Sequence, residues 1–189
     1  MKFQIRFVLS LVALTMCASL PLAAKDSGKI KAGDKLQALV NLHPDMNKHL
    51  LYTLNYQLPG LIPVCSEVTV TKISRKEMAF TWQGMDYQLA YDGFTKDAGV
   101  TFEDAALTYF GPACDQAKMQ KLGKADQEGI RSGKPAVGMT RDGILFAMGR
   151  PPVHANPDLK AAQYRYWKNR FTTEIIEFDD KGKVSNIVQ

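Results

Sequence analysis

Histidine, cysteine and tryptophan are scarce in this chain: three, three and two among 189 residues. The three histidines are His43, His49 and His154, and a zinc site needs three or four converging ligands. His43 and His49 stand six apart across Pro44, with no His-x-x-x-His spacing, so no metal site is expected. The Gly-x-Ser-x-Gly elbow of serine hydrolases and the phosphate-binding Gly-x-x-x-x-Gly-Lys-Ser/Thr loop are also missing. The chain is therefore read as non-catalytic and without a cofactor. Past the first two dozen residues, no run is long and apolar enough to span a membrane. An excess of one charge sign is missing too. The formal charge is +5, and loss of Lys2 and Arg6 with a cleaved leader lowers it to +3. So mild a balance gives no reason to expect a nucleic-acid partner.

The N-terminus supplies what the rest lacks. Lys2 and Arg6 precede an apolar run from Phe7 to Cys17, and Ser19-Leu20-Pro21-Leu22-Ala23-Ala24 offers small residues for cleavage. This is the pattern of a secretory signal peptide, residues 1–24, with cleavage after Ala24. A second reading stays open: Leu14-Thr15-Met16-Cys17 is similar to a lipoprotein box, although Met16 is not the usual small residue, and Cys17 would then carry a lipid. Either way the protein is exported. The remaining pair, Cys65 and Cys114, is expected to form a disulfide in an oxidising compartment, the alternative being two separate buried thiols.

Tight turns and alternating apolar residues dominate 25–98. Val64 to Ile73 is β-branched, with Val68, Val70 and Lys72 on one face. Met78 to Trp82 and Met85 to Tyr91 pair across Gln83-Gly84, and Leu50 to Gln57 alternates more weakly. A small antiparallel meander or barrel is expected here, and its strand order is similar to a bacterial SH3-like barrel. Residues 99–134 read as a helical connector: Phe102, Ala106, Tyr109 and Phe110 recur at helical spacing, and polar helical segments surround Gly123. The overall class is α+β.

Residues 135–189 carry the most legible motif. Gly138 allows a tight entry, Thr140 is a good N-cap, and Asp142 sits at the positive end of the helix dipole. Ile144, Leu145 and Met148 share a face, Gly149 can close the helix and Pro151-Pro152 forbid its continuation. Gln163 to Lys168, Phe171 to Phe178 and Lys183 to Val188 follow as strands, the last two joined by the Asp179-Asp180-Lys181-Gly182 turn. Three antiparallel strands can bury one face against that helix.

Gly138-Met139-Thr140, the short apolar helix, Gly149-x-Pro151, Tyr166-Trp167 on a strand and Phe178-Asp-Asp-Lys-Gly182 in a hairpin resemble the SmpA/OmlA (BamE-like) family over roughly 125–189. The resemblance implies helices packed on a three-stranded antiparallel sheet in an outer-membrane-associated domain. It further implies a periplasmic location, peripheral to the outer membrane or anchored there through Cys17, and a non-catalytic role in envelope assembly or integrity. The chain departs from the family in its poor lipoprotein box and its long β-rich first half.

Tyr164, Arg165, Tyr166, Lys168 and Arg170 mix aromatics with cations, as partner surfaces do. They are the expected contact for an envelope protein, and their charge also suits anionic lipid headgroups. The alternative function is a small secreted enzyme or protein inhibitor using a cleft between the halves. An enzyme would use His154 with an acidic residue and a reduced Cys114.

Overall fold

The computed structural model describes residues 29–189. The expected signal peptide and the lipidation reading of Cys17 lie outside the described residues. Within them the chain is mixed α+β, with a curled six-stranded sheet, a three-stranded antiparallel sheet and five helices.

In the first half, β1 (Lys35–Ala38), β2 (Leu50–Tyr52), β3 (Glu67–Ile73), β4 (Glu77–Trp82) and β5 (Met85–Ala90) are followed by the short helix α1 (Gly93–Asp97). Helix α2 (Phe102–Tyr109) and the two-residue strand β6 (Phe110–Gly111) come next. The sheet order is β2-β5-β4-β3-β1-β6. Period-two alternation sends Val68, Val70, Met78, Phe80, Tyr87 and Leu89 to one face, where Phe102, Ala106, Tyr109 and Phe110 cover them. Fully burying side chains of this kind contributes about 1.5–3 kcal/mol each, which makes this cluster the main stabilising element of the half.

Three expectations here need correction. The sheet is not antiparallel throughout, because β2 pairs parallel with β5, Leu51 opposite Leu89. The expected strand Leu50 to Gln57 also stops at Tyr52. Asn55 there takes φ +52° and its N–H turns back to the Tyr52 carbonyl at 2.7 Å. Lys72 is not on the apolar face. A register shift between Val70 and Lys72 inserts one residue, so Ile73 faces Met78 while Lys72 reaches solvent and bonds Glu77 at 2.8 Å.

The disulfide is present. Cys65 and Cys114 are bonded, with Cα atoms 5.3 Å apart. Cys65 N–H donates to the Ala38 carbonyl and Cys114 N–H to Gln37 Oε1. The bond therefore clamps the approaches to β3 and β6 onto β1, the strand between them.

In the second half, α3 (Gln116–Gln120), α4 (Lys124–Ser132) and α5 (Arg141–Met148) precede β7 (Gln163–Trp167), β8 (Thr173–Phe178) and β9 (Val184–Val188). Ile144, Ala147 and Met148 of α5, with Ile130 of α4 and Met139, pack on Tyr164, Tyr166, Ile176, Phe178 and Val184. Segment 99–134 divides its packing: α2 belongs to the first cluster, and α4 contributes Ile130 to the second.

Candidate functional site

Helix α5 has only eight residues, too few to stand without support at both ends. At its N-terminus the Thr140 hydroxyl accepts the Gly143 N–H at 3.1 Å, as expected of an N-cap. The backbone N–H of Thr140 donates to Asp126 Oδ1 on α4 at 2.6 Å, and its hydroxyl lies 3.1 Å from the same oxygen. Asp126 is 2% exposed, so the helix start rests on a buried carboxylate. Gly143 must lack a side chain, because a Cβ there would fall 1.9 Å from Asp126 Oδ1. Gly138 and Met139 extend the second sheet at its β9 edge: Gly138 N–H donates to the Val184 carbonyl at 2.8 Å and Val184 N–H to the Met139 carbonyl at 2.7 Å. The Gly-Met-Thr motif thus adds a short edge segment and starts the helix.

At the other end, helix geometry leaves the last carbonyls without partners inside the helix. Residues of the first half supply most of them. Asn41 N–H donates to the Phe146 carbonyl at 2.8 Å. Asn41 Nδ2 lies 3.3 Å and His43 Nε2 3.1 Å from the Ala147 carbonyl. Asn55 Nδ2 at 2.7 Å and Gln57 Nε2 at 3.1 Å share the Met148 carbonyl. Tyr166 hydroxyl, from β7, donates to the Gly149 carbonyl at 2.8 Å. Gly149 has φ +75°, and a Cβ on it would lie 2.6 Å from Asn55 Nδ2, so glycine is needed for both reasons. Burial lowers the His43 pKa against the raising effect of the Ala147, Leu58 and Gly60 carbonyls, and burial pushes the Tyr166 phenol well up. His43 is therefore a neutral donor at the seam between the halves.

A cleft of about 640 Å³ opens beside this seam. His43, Gln57, Lys134, Met148, Lys168 and Glu174 are among the residues lining it. Glu174 is 4% exposed and pairs with Lys168 at 3.1 Å. His154, the expected catalytic base, is not among the lining residues. It stacks instead on Phe94, with ring centroids 5.2 Å apart, and meets Trp167 at 4.9 Å. Cys114 is in its disulfide and carries no thiol. The Cys–His hydrolase is thereby corrected: its nucleophile is oxidised and its base faces aromatic rings. Among the described residues no group of three or more His, Cys, Asp or Glu side chains is placed to hold a metal ion.

The residues of the expected partner surface are divided between the core and solvent. Tyr164 and Tyr166 are 0% and 1% exposed and belong to the core, because period two turns both toward α5. They cannot touch a partner. Lys168 is held by Glu174. Arg165 and Arg170 are exposed. Asn156 covers the backbone of Arg165, its Oδ1 accepting the Arg165 N–H at 2.7 Å and its Nδ2 donating to the carbonyl at 2.9 Å. Of the aromatic cluster Tyr164, Tyr166, Trp167 and Phe171 that the sequence places among these cations, the one that stands out in solvent is Phe171, 87% exposed at the tip of the β7–β8 hairpin. Asn169 Oδ1 fixes that tip by accepting the N–H groups of Phe171 at 2.8 Å and Thr172 at 3.0 Å. Arg170 joins Tyr56, Asp92, Phe94 and Asp97 around a surface pocket of about 460 Å³. The stack Phe94–His154–Trp167 continues the aromatic surface onto β7.

Among the described residues, no helix is long and apolar enough to cross a membrane. Compared with known proteins, the chain matches no family model, no curated protein and no solved structure.

Proposed function

We propose that this chain is a non-catalytic, exported interaction module of the SmpA/OmlA (BamE-like) kind, and that it supports envelope assembly or integrity by docking a protein partner at the end of the β7–β8 hairpin. The observation that carries the reading is Phe171, 87% exposed on a fixed tip beside Arg170. A large apolar side chain held out in water gains its burial energy by entering a partner's pocket, against a smaller cost in side-chain entropy. Phe94, 48% exposed, and half-buried Trp167 widen the surface, and aromatics with Arg are the composition interfaces favour.

Support for the family reading is the sequence Gly138-Met139-Thr140, a capped helix, Gly149-x-Pro151 and three antiparallel strands, with α5 packed on the sheet. Support for an SH3-like first half is the β3–β4–β5 meander alone. The parallel strand β2 departs from that pattern. Anionic lipid is the weaker occupant for the hairpin end, because Asp92 and Asp97 share the pocket with Arg170 and repel a negative surface.

A photo-crosslinking residue at position 165 or 170, activated in cells, tests the docking. The expected outcome is one defined envelope-protein adduct that Phe171→Ser abolishes while the protein still accumulates. An adduct pattern that Phe171→Ser leaves unchanged overturns the docking mode.

A further inference from the structure

A second surface lies in the first half and shares no residue with the hairpin pocket. It is a groove of about 610 Å³, floored by Ile30, Ile73, Tyr91 and Phe102. Lys29, Lys31 and Arg75 line its rim, and all three are exposed. Among the described residues none of these cations lies within salt-bridge distance of a carboxylate. The one acidic residue in the lining is Glu103. The lining itself carries three cations against one carboxylate, with Asp34, whose Oδ2 accepts the Lys31 N–H at 2.7 Å, and Asp104 standing beside it. The nearby start of α2 adds little to this. Its first turn already holds Glu103 and Asp104, and Thr101 caps it.

The geometry points to this groove as a docking site for the anionic phospholipid headgroups of a membrane surface. Charge complementarity selects the occupant. Phosphate oxygens meet the ammonium groups of Lys29 and Lys31 and the guanidinium of Arg75, while half-buried Ile73 and Tyr91 meet the glycerol and upper acyl carbons. With the protein partner at the hairpin, the chain would hold a membrane surface and a protein through two separate faces.

Vesicle flotation with the full exported protein tests the groove. The vesicles are phosphatidylglycerol mixed with phosphatidylcholine, compared with phosphatidylcholine alone. The expected result is binding to the anionic vesicles only, weakened by salt. The double variant Lys31→Gln/Arg75→Gln should lower it about thirtyfold, at about 1 kcal/mol per cation. Lys183→Gln, on the distant hairpin before β9, should leave binding unchanged, and so should Arg170→Glu. Equal binding to neutral vesicles overturns the proposal, as does an equal loss in Lys183→Gln, which would mean general charge attraction. Loss in Arg170→Glu alone would move lipid contact to the hairpin and also overturn it. Stronger binding to a polyglutamate peptide than to vesicles would show an acidic protein segment to be the occupant. The crosslinking test above is read separately, so either surface can fail without the other.

Discussion

The two halves of the molecule are held together by different means. The six-stranded sheet keeps its order through long backbone ladders, β3 with β4 and β4 with β5, and a disulfide that closes 49 residues of chain beside β1. The three-stranded sheet depends on α5, and α5 depends on others: on Asp126 at its start and on Asn41, His43, Asn55 and Gln57 at its end. Four of these five come from the first half. The second half borrows its helix cap from the first, while the first half's core, apart from this seam, is built from its own residues. That asymmetry predicts which half fails first and what drags the other with it.

The largest effect should come from the disulfide. The double variant Cys65→Ser/Cys114→Ser is expected to lose about 4 kcal/mol, the loop-closure entropy of a ring this size. Urea unfolding, with and without reductant on the wild type, measures it. If the halves are coupled through the seam, tryptophan fluorescence and circular dichroism should follow one shared transition in the variant. Trp82 reports on the first sheet and Trp167 on the second. Two separated transitions would break the comparison, because the second half would then stand alone.

The helix ends come next. Asn41→Ala removes donors to the Ile130 and Ala147 carbonyls and the acceptor of the Val64 N–H, so a loss of about 2–3 kcal/mol is expected from the groups left unpaired. At the other end Asp126 and Gly143 are coupled by contact. Gly143→Ala should be costly alone, since its Cβ would overlap the carboxylate, and much cheaper in an Asp126→Ala background. A double-mutant cycle on urea midpoints measures that coupling, expected at about 1–3 kcal/mol. Additive effects would mean that the helix start is looser than its geometry implies.

Much of this architecture was legible in the sequence wherever a residue acts on its own neighbours. Thr140 as N-cap, Gly149 before Pro151, the β4–β5 hairpin and the Asp179 to Gly182 turn are local, and each holds in the structure. Tertiary choices were not legible. Nothing near Leu50 says that β2 will run parallel to β5, and nothing near Lys72 announces the bulge that turns it outward. Asp126 and Asn41 look like solvated polar residues in sequence. Their role appears only when α5 arrives 14 residues later in one case and about a hundred later in the other. The partner surface shows the same limit. Tyr164 and Tyr166 carried a surface composition, but period two sent them inward, while Phe171 read as the first residue of a strand and stands at the hairpin tip, with the strand starting at Thr173.

The smallest effect tests the seam by pH. His43 is buried, and its folded-state pKa lies below the ordinary 6.5 because charging it there would cost desolvation. Well above pH 6.5 the ring is neutral in both the folded and unfolded chain, and it contributes no pH dependence. As pH falls below 6.5 the unfolded chain takes up a proton that the folded chain refuses, so stability is lost down to the lowered folded pKa and then levels off. Thermal unfolding should therefore show Tm falling as pH drops through about 6.5, above the range where ordinary carboxylates titrate. His43→Gln keeps a donor for the Ala147 carbonyl and has no proton to gain, so it should flatten that fall. Amide exchange should place the acid-induced opening at the end of α5 and at the Asn55 to Gly60 segment, with the β3–β4–β5 ladder unaffected. Opening that begins in the ladder would reverse the comparison and make the first half the dependent one.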